Sequence, residues 1–190
     1  MQLATIIEII AVIFSTIYLF LLVKENIWCW LFGIISSFLS IYLFVEAKLY
    51  SESILYGFYV LVGFYGWNTW SNPKSDKPLA IKVLGVQLHL MWLVLGFVFA
   101  FIIGYIFQHY TDAEKSYIDA NTTAFSLIAS YLQAHKYLYS WIYWIVINGV
   151  SIWLYFTQGL SIYAGLMVVY FVMSWVGFWN WRKQDLLQPK

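Results

Sequence analysis

At 190 residues the chain is long enough for one domain, but a composition of 63% hydrophobic, 22% aromatic and only 10% charged residues departs from the roughly one-quarter charged content of a water-soluble domain. Ten basic against nine acidic residues leave a net charge of +1, too balanced for a nucleic-acid binder or for a partner of strongly acidic surfaces. A single cysteine, Cys29, and three scattered histidines exclude an intrachain disulfide and give no ligand spacing for a metal, so no cofactor is expected.

A helix rises about 1.5 Å per residue and therefore needs about 20 apolar residues to cross a hydrocarbon core about 30 Å thick. Seven segments read as spans. The first, Leu3–Val23, has neither a basic leader nor a small-residue cleavage site, and it is long enough to span rather than be removed. Trp28–Val45 and Ser53–Trp70 follow, separated by Lys24–Ile27 and Glu46–Glu52. Beyond the Pro-containing Ser71–Leu79 comes the fourth, Leu84–Phe107. The polar Gln108–Asn121 leads to the fifth, Thr122–Ala134, which is short and polar at its start. His135–Lys136 precedes the sixth, Leu138–Phe156, and Thr157–Gly159 precedes the seventh, Leu160–Trp181. Every connection is short, so residues 1–190 read as one all-α transmembrane domain embedded in the lipid bilayer.

Cytoplasmic loops retain an excess of Lys and Arg. With seven spans, one side receives Lys24, Lys74, Lys77, Lys82, Lys136, Arg182, Lys183 and Lys190, and the other only Lys48 and Lys115. The expected orientation is N-terminus outside, C-terminus inside.

Sliding the chain along itself by 111 residues superposes, without a gap, Phe14-Ser15 on Phe125-Ser126, Trp30 on Trp141 and Ser40-Ile41 on Ser151-Ile152. The same shift brings Tyr59 onto Tyr170, Gly66 onto Gly177 and Trp70 onto Trp181. Matched tryptophans, tyrosines and glycines at one fixed offset point to duplication. The first repeat covers residues 3–70, the second 119–181, and the fourth span, 84–107, links them. A three-helix unit crosses the membrane an odd number of times, so the linker restores a common orientation. The expected architecture is a parallel 3+1+3 arrangement, as described for sugar-efflux carriers of the SWEET type, with substrate near the midplane.

In the sixth span Trp141, Trp144, Asn148, Ser151 and Tyr155 follow a 3-4-3-4 spacing, which puts aromatic and polar groups on one stripe. Asn148 falls toward the bilayer centre, where its amide needs a partner; a bond to a neighbouring helix is the plain structural account. The equivalent face of the second span reads Trp30, Gly33, Ser37, Ser40 and Phe44. Small residues there leave room opposite large ones, although close helix packing also accounts for Gly33 and Ser37. A cleft between two such faces suits a flat heteroaromatic ligand, more so if it is a cation, since each ring face attracts it by about 0.5–2 kcal/mol. The helix ends Gly66–Trp70 and Gly177–Trp181, like Trp28, read as interfacial anchors. Tyr65 and Trp175, a little deeper, are further candidates for the cavity. Glu8 and Asp119 occupy equivalent positions and are candidates for an outer entrance that draws cations, or are simply solvated near helix N-termini. His89 reads as a satisfied interfacial histidine. No buried acid–base pair marks proton coupling, so passive movement is expected.

The run Trp30-Leu31-Phe32-Gly33-Ile34-Ile35-Ser36-Ser37, then Leu49-Tyr50, then Tyr65-Gly66-Trp67-Asn68-Thr69-Trp70 resembles the first half of the PnuC family of bacterial vitamin transporters. Trp141-Ile142-Tyr143-Trp144, Asn148 and Leu154-Tyr155 resemble its second half. The resemblance covers nearly the whole chain. It implies uptake across the bacterial inner membrane by facilitated diffusion, trapping inside by phosphorylation, and ligand contacts from Trp141, Trp144 and Asn148. The family includes carriers of nicotinamide riboside and thiamine, both flat cationic heterocycles. Carriers of nicotinamide riboside tend to have Asn where this chain has Ser36, and Asn26-Ile27-Trp28-Cys29-Trp30 with Gly33–Ser37 looks more like the thiamine branch, often called PnuT. Thiamine is thus the expected substrate and nicotinamide riboside the alternative. The resemblance also allows a homo-oligomer such as a trimer.

Three other classes fit less well. An intramembrane enzyme needs a nucleophile, acid–base pair or metal set at membrane depth, and Cys29 stands alone. A membrane scaffold leaves the aromatic–amide stripe without a purpose. A sugar carrier needs more hydrogen-bonding capacity than these faces offer.

Overall fold

The computed structural model describes residues 2–46, 50–72, 79–110, 116–157 and 161–187. They form seven helices: α1 (Gln2–Val23), α2 (Trp28–Glu46), α3 (Tyr50–Ser71), α4 (Val86–Tyr110), α5 (Ser116–Ala134), α6 (Ser140–Thr157) and α7 (Ser161–Leu187). Four of them contain a stretch long and apolar enough to cross a membrane unaided: Thr5–Val23, Trp28–Glu46, Val86–Ile106 and Ala164–Leu187. The apolar part of α6, Ser140–Leu154, is shorter.

Two helix boundaries differ from the sequence expectation by more than a turn. Helix α5 begins at Ser116 rather than Thr122, because its polar residues bond back to their own helix. Asn121 Nδ2 donates to the Tyr117 carbonyl at 2.7 Å and Thr122 Oγ1 to the Ile118 carbonyl at 3.3 Å, so polarity at this start does not mean loop. Helix α7 continues to Leu187, six residues past Trp181, and its Arg182 guanidinium lies over the Trp179 ring at 5.4 Å.

Met1–Ala80 and Ile81–Lys190 are two compact units. In the first, α2 packs on α1 and on α3. In the second, α4 packs on α5, α5 on α6, and α6 on α7. Helix α5 lies between α4 and α6 and buries small residues on more than one side, Ala120, Ala124, Ser126, Ala129 and Ser130, which lets its neighbours approach closely. Just before α4, Lys82 N–H donates to the Lys136 carbonyl and Leu138 N–H to the Lys82 carbonyl, both at 2.9 Å. This short parallel bridge ties the segment before α4 to the α5–α6 turn.

Local geometry recurs at the 111-residue offset. Trp30 meets Trp70 edge-on with centroids 5.4 Å apart at 88°, and Trp141 meets Trp181 at 5.4 Å and 87°. A Cβ on Gly66 would sit 2.5 Å from Trp30, and one on Gly177 2.6 Å from Trp141, so each glycine admits an indole against its helix backbone. The turns match as well. Glu25 and Lys136 both take a left-handed conformation, φ 54° and 55°. Around them Glu25 N–H donates to Leu22 O and Asn26 N–H to Leu21 O, while Lys136 N–H donates to Gln133 O and Tyr137 N–H to Leu132 O. That is the bonding which closes a helix C-terminus, made here without the usual glycine.

This packing corrects the anchor reading of two tryptophans. Trp70 and Trp181 are buried in their units against Trp30 and Trp141. Trp179, 56% exposed under Arg182, and Trp28, exposed and edge-on to Trp67 at 5.5 Å, keep the character of interfacial side chains.

A polar and aromatic face on helix six

Helix α6 carries most of the residues singled out by the sequence, and it divides them between two neighbours. Trp141 is fully buried against Trp181 and Gly177 of α7, and its indole N–H has no acceptor among the described residues. Asn148, seven residues on, returns to nearly the same azimuth. It is 3% exposed, and its Nδ2 donates to Ser174 Oγ of α7 at 3.2 Å. Ser174 in turn donates to the Tyr170 carbonyl at 2.8 Å. The amide has the interhelical partner that its depth requires.

Trp144 points elsewhere. At about 100° per residue it stands some 60° around the helix from Trp141, toward α5 rather than α7. Its Nε1–H donates to Gln133 Oε1 at 2.7 Å, and its half-buried ring packs on the cluster formed by Leu84, Ile128, Ala129, Leu132, Tyr143 and Ile147. The single stripe expected from the 3-4-3-4 spacing is therefore two adjoining rows. Ser151 is buried on the same helix. Tyr155 and Asp119 lie outside the residues whose side chains are described.

In the first unit Trp30 is buried, packs against Trp70 and Tyr18, and has an indole N–H without an acceptor among the described residues. Ser37 is buried, and the neighbouring Ser36 donates to the Ala11 carbonyl of α1 at 2.9 Å. The room expected beside Gly33 is taken up inside the unit, since a Cβ there would sit 2.9 Å from the Tyr18 ring. Close packing is thus the correct account of Gly33. Glu8 is exposed on α1.

Comparing equivalent positions brings out what the second unit has and the first does not. Tyr18 and Gly33 correspond to Ala129 and Trp144, so the large ring has moved from the first helix of the repeat to the second. Leu22 corresponds to Gln133, Cys29 to Ser140, Ser37 to Asn148 and Gly63 to Ser174. Where α1, α2 and α3 present Leu22, Gly33, Ser37 and Gly63, the second unit has two hydrogen-bonded pairs, Gln133–Trp144 and Asn148–Ser174. Neither Gln133 nor Ser174 stands out from periodicity alone. The signal that finds them is the column-by-column difference between the repeats.

Nearby, His89 at the start of α4 shares a 3.2 Å hydrogen bond with the Tyr143 hydroxyl, stacks on that ring at 5.8 Å and meets Tyr139 edge-on at 4.9 Å. It is satisfied, as the sequence suggested. An open groove of about 480 Å³ runs along α7, lined by Val172, Trp175, Val176, Trp179, Asn180 and Lys183. Trp175 is the one sequence candidate among them; Tyr65 is exposed on α3. Among the described residues no three His, Cys, Asp or Glu side chains come together. What the α6 face offers is a pinned aromatic surface next to a buried amide, a combination that can stack a flat ring and orient it with a few hydrogen bonds.

The family model described as nicotinamide mononucleotide transporter matches residues 5–183. Among solved structures, the crystal structure of the vitamin B3 transporter PnuC aligns with a TM-score of 0.75 and 27% sequence identity, covering 95% of this chain and 82% of that one. No curated protein matches.

Proposed function

The chain belongs to the nicotinamide mononucleotide transporter family, multi-pass membrane carriers rather than enzymes, and on that premise we propose that it takes up a flat, cationic heteroaromatic vitamin by facilitated diffusion. One observation carries this reading above the rest. The second repeat replaces leucine and small residues with the pairs Gln133–Trp144 and Asn148–Ser174, adding polar and aromatic groups at positions that apolar packing alone would fill. Trp144 supplies the ring face, Asn148 and Ser151 the hydrogen-bonding capacity, and Trp141 the wedge that sets α6 against α7. Tyr155, Trp30 and Ser37 complete the proposed set of substrate residues. Glu8 and Asp119 form the proposed outer entrance, and no metal takes part.

The proposed architecture is the duplicated 3+1+3 arrangement, with α4 as linker, the N-terminus outside and the C-terminus inside. It is supported by the recurrence of the tryptophan pairs and left-handed turns at one offset and by the eight-to-two division of basic residues. Association of copies, as a trimer, is part of the same reading.

Thiamine is the proposed solute, on the run Asn26–Trp30 with Gly33–Ser37. Nicotinamide riboside is the second reading, and the observation favouring it is the likeness to the vitamin B3 transporter PnuC. Ser36 does not decide between them, because its hydroxyl is engaged by α1. The test is uptake by purified protein reconstituted into vesicles, with radiolabelled thiamine and nicotinamide riboside in parallel and no ion gradient. Saturable thiamine exchange is expected. Preference for nicotinamide riboside would replace the solute, and transport of neither by correctly inserted protein would overturn the reading.

A further inference from the structure

Gln133 is a side chain whose place in the fold its own packing does not explain. It sits in the last turn of α5, 1% exposed, and spends one amide oxygen on the Trp144 indole N–H at 2.7 Å. Its Nε2 has no hydrogen-bond partner among the described residues. A buried amide with unpaired donors is destabilising compared with an aliphatic side chain of similar size, and at the equivalent position of the first repeat the chain has such a residue, the buried Leu22. The cluster on which Trp144 packs is apolar apart from one tyrosine, being built of Leu84, Ile128, Ala129, Leu132, Tyr143 and Ile147. Among the described residues the hydrogen-bond partner of Gln133 is the ring that the functional reading assigns to the solute.

We infer that Gln133 is a positioning residue that sets solute affinity through Trp144. The indole is half-buried on that cluster, and without the Gln133 acceptor it loses the hydrogen bond that fixes its orientation there and can bond water instead. A hydrogen bond to the buried end of α5 selects one ring orientation before the solute arrives, which lowers the entropic cost of stacking. The first repeat needs no such device, because Gly33 stands where Trp144 does and Tyr18 fills the space from the neighbouring helix. The inference rests on Trp144 being the stacking surface.

Both can be tested together on the full-length purified protein. Calorimetric titrations with thiamine and with nicotinamide riboside are made on wild type, Gln133→Leu, Trp144→Phe, the double variant and Trp144→Ala, with thermal unfolding recorded on each preparation. Gln133→Leu copies the first repeat and removes the acceptor; Trp144→Phe keeps a ring and removes the donor. Expected for Gln133→Leu is affinity lower by a factor of about ten, the scale of one hydrogen bond, with an unfolding temperature equal to or above wild type. Expected for the double variant is no loss beyond that of Trp144→Phe. A structural role would instead lower stability and affinity together in Gln133→Leu, and that result overturns the inference. Wild-type affinity in Gln133→Leu, alongside a large loss in Trp144→Ala, overturns the inference and leaves the transporter site standing. Wild-type affinity in Trp144→Ala removes the site assignment and the inference with it.

Discussion

At the scale of single residues, the proposed function divides the tryptophans into those that touch solute and those that anchor the protein in the membrane. Trp144→Ala should weaken vitamin binding by a factor of about ten or more, since it removes both a stacking surface and any cation–π attraction. Trp179→Ala should leave affinity intact and act on insertion or stability, because that ring is exposed beneath Arg182. Titrating both variants checks the division, and equal losses in folded protein would refute it. Asn148 could be read from the sequence, as a lone amide in the middle of an apolar helix demands a partner. Gln133 could not: it stands next to His135 and Lys136 at the end of a span, where polarity suggests a solvated turn. Only the packing of α5 shows it buried.

The helices themselves were legible to within a few residues where apolar runs are long, and least so where polar side chains bond back to their own turn, as in Asn121 and Thr122. The direction of aromatic side chains was harder. Gly66 with Trp70 and Gly177 with Trp181 look like interfacial anchors in one dimension; in three, each glycine admits the indole of Trp30 or Trp141 against its helix. The close approach makes a clear prediction. Gly177→Ala places a Cβ 2.6 Å from the Trp141 ring and should destabilise the protein by about 1–3 kcal/mol, read from thermal or denaturant unfolding in detergent. Gly66→Ala should do the same through Trp30, the similar size of the two losses reflecting the repeated geometry. A neutral Gly177→Ala would mean that the indole wedge is looser than its burial indicates.

For the whole molecule, the proposed duplication rests on matches at one offset that were legible in the sequence, because tryptophan, tyrosine and glycine resist chance coincidence. The use made of it was not, since that lies in the columns where the repeats differ: Leu22 against Gln133, Gly33 against Trp144, Gly63 against Ser174. The proposed orientation rests on the division of basic residues. A cysteine placed at Lys183 should react with a membrane-impermeant maleimide only from the cytoplasmic side, given that the native Cys29 is buried; labelling of intact cells would reverse the assignment. The proposed facilitated diffusion predicts that uptake into vesicles is unchanged by a protonophore, whereas abolition of uptake would require a coupled proton.

The most direct measurement is a titration of the purified protein with thiamine, followed through tryptophan fluorescence, in wild type and in Trp144→Ala, with nicotinamide riboside as the parallel solute. Saturable quenching in wild type that is largely lost in Trp144→Ala is the expected result. Undiminished affinity in the variant, or no saturable response to either solute from folded wild-type protein, would contradict the assignment of the α6 face as the vitamin site.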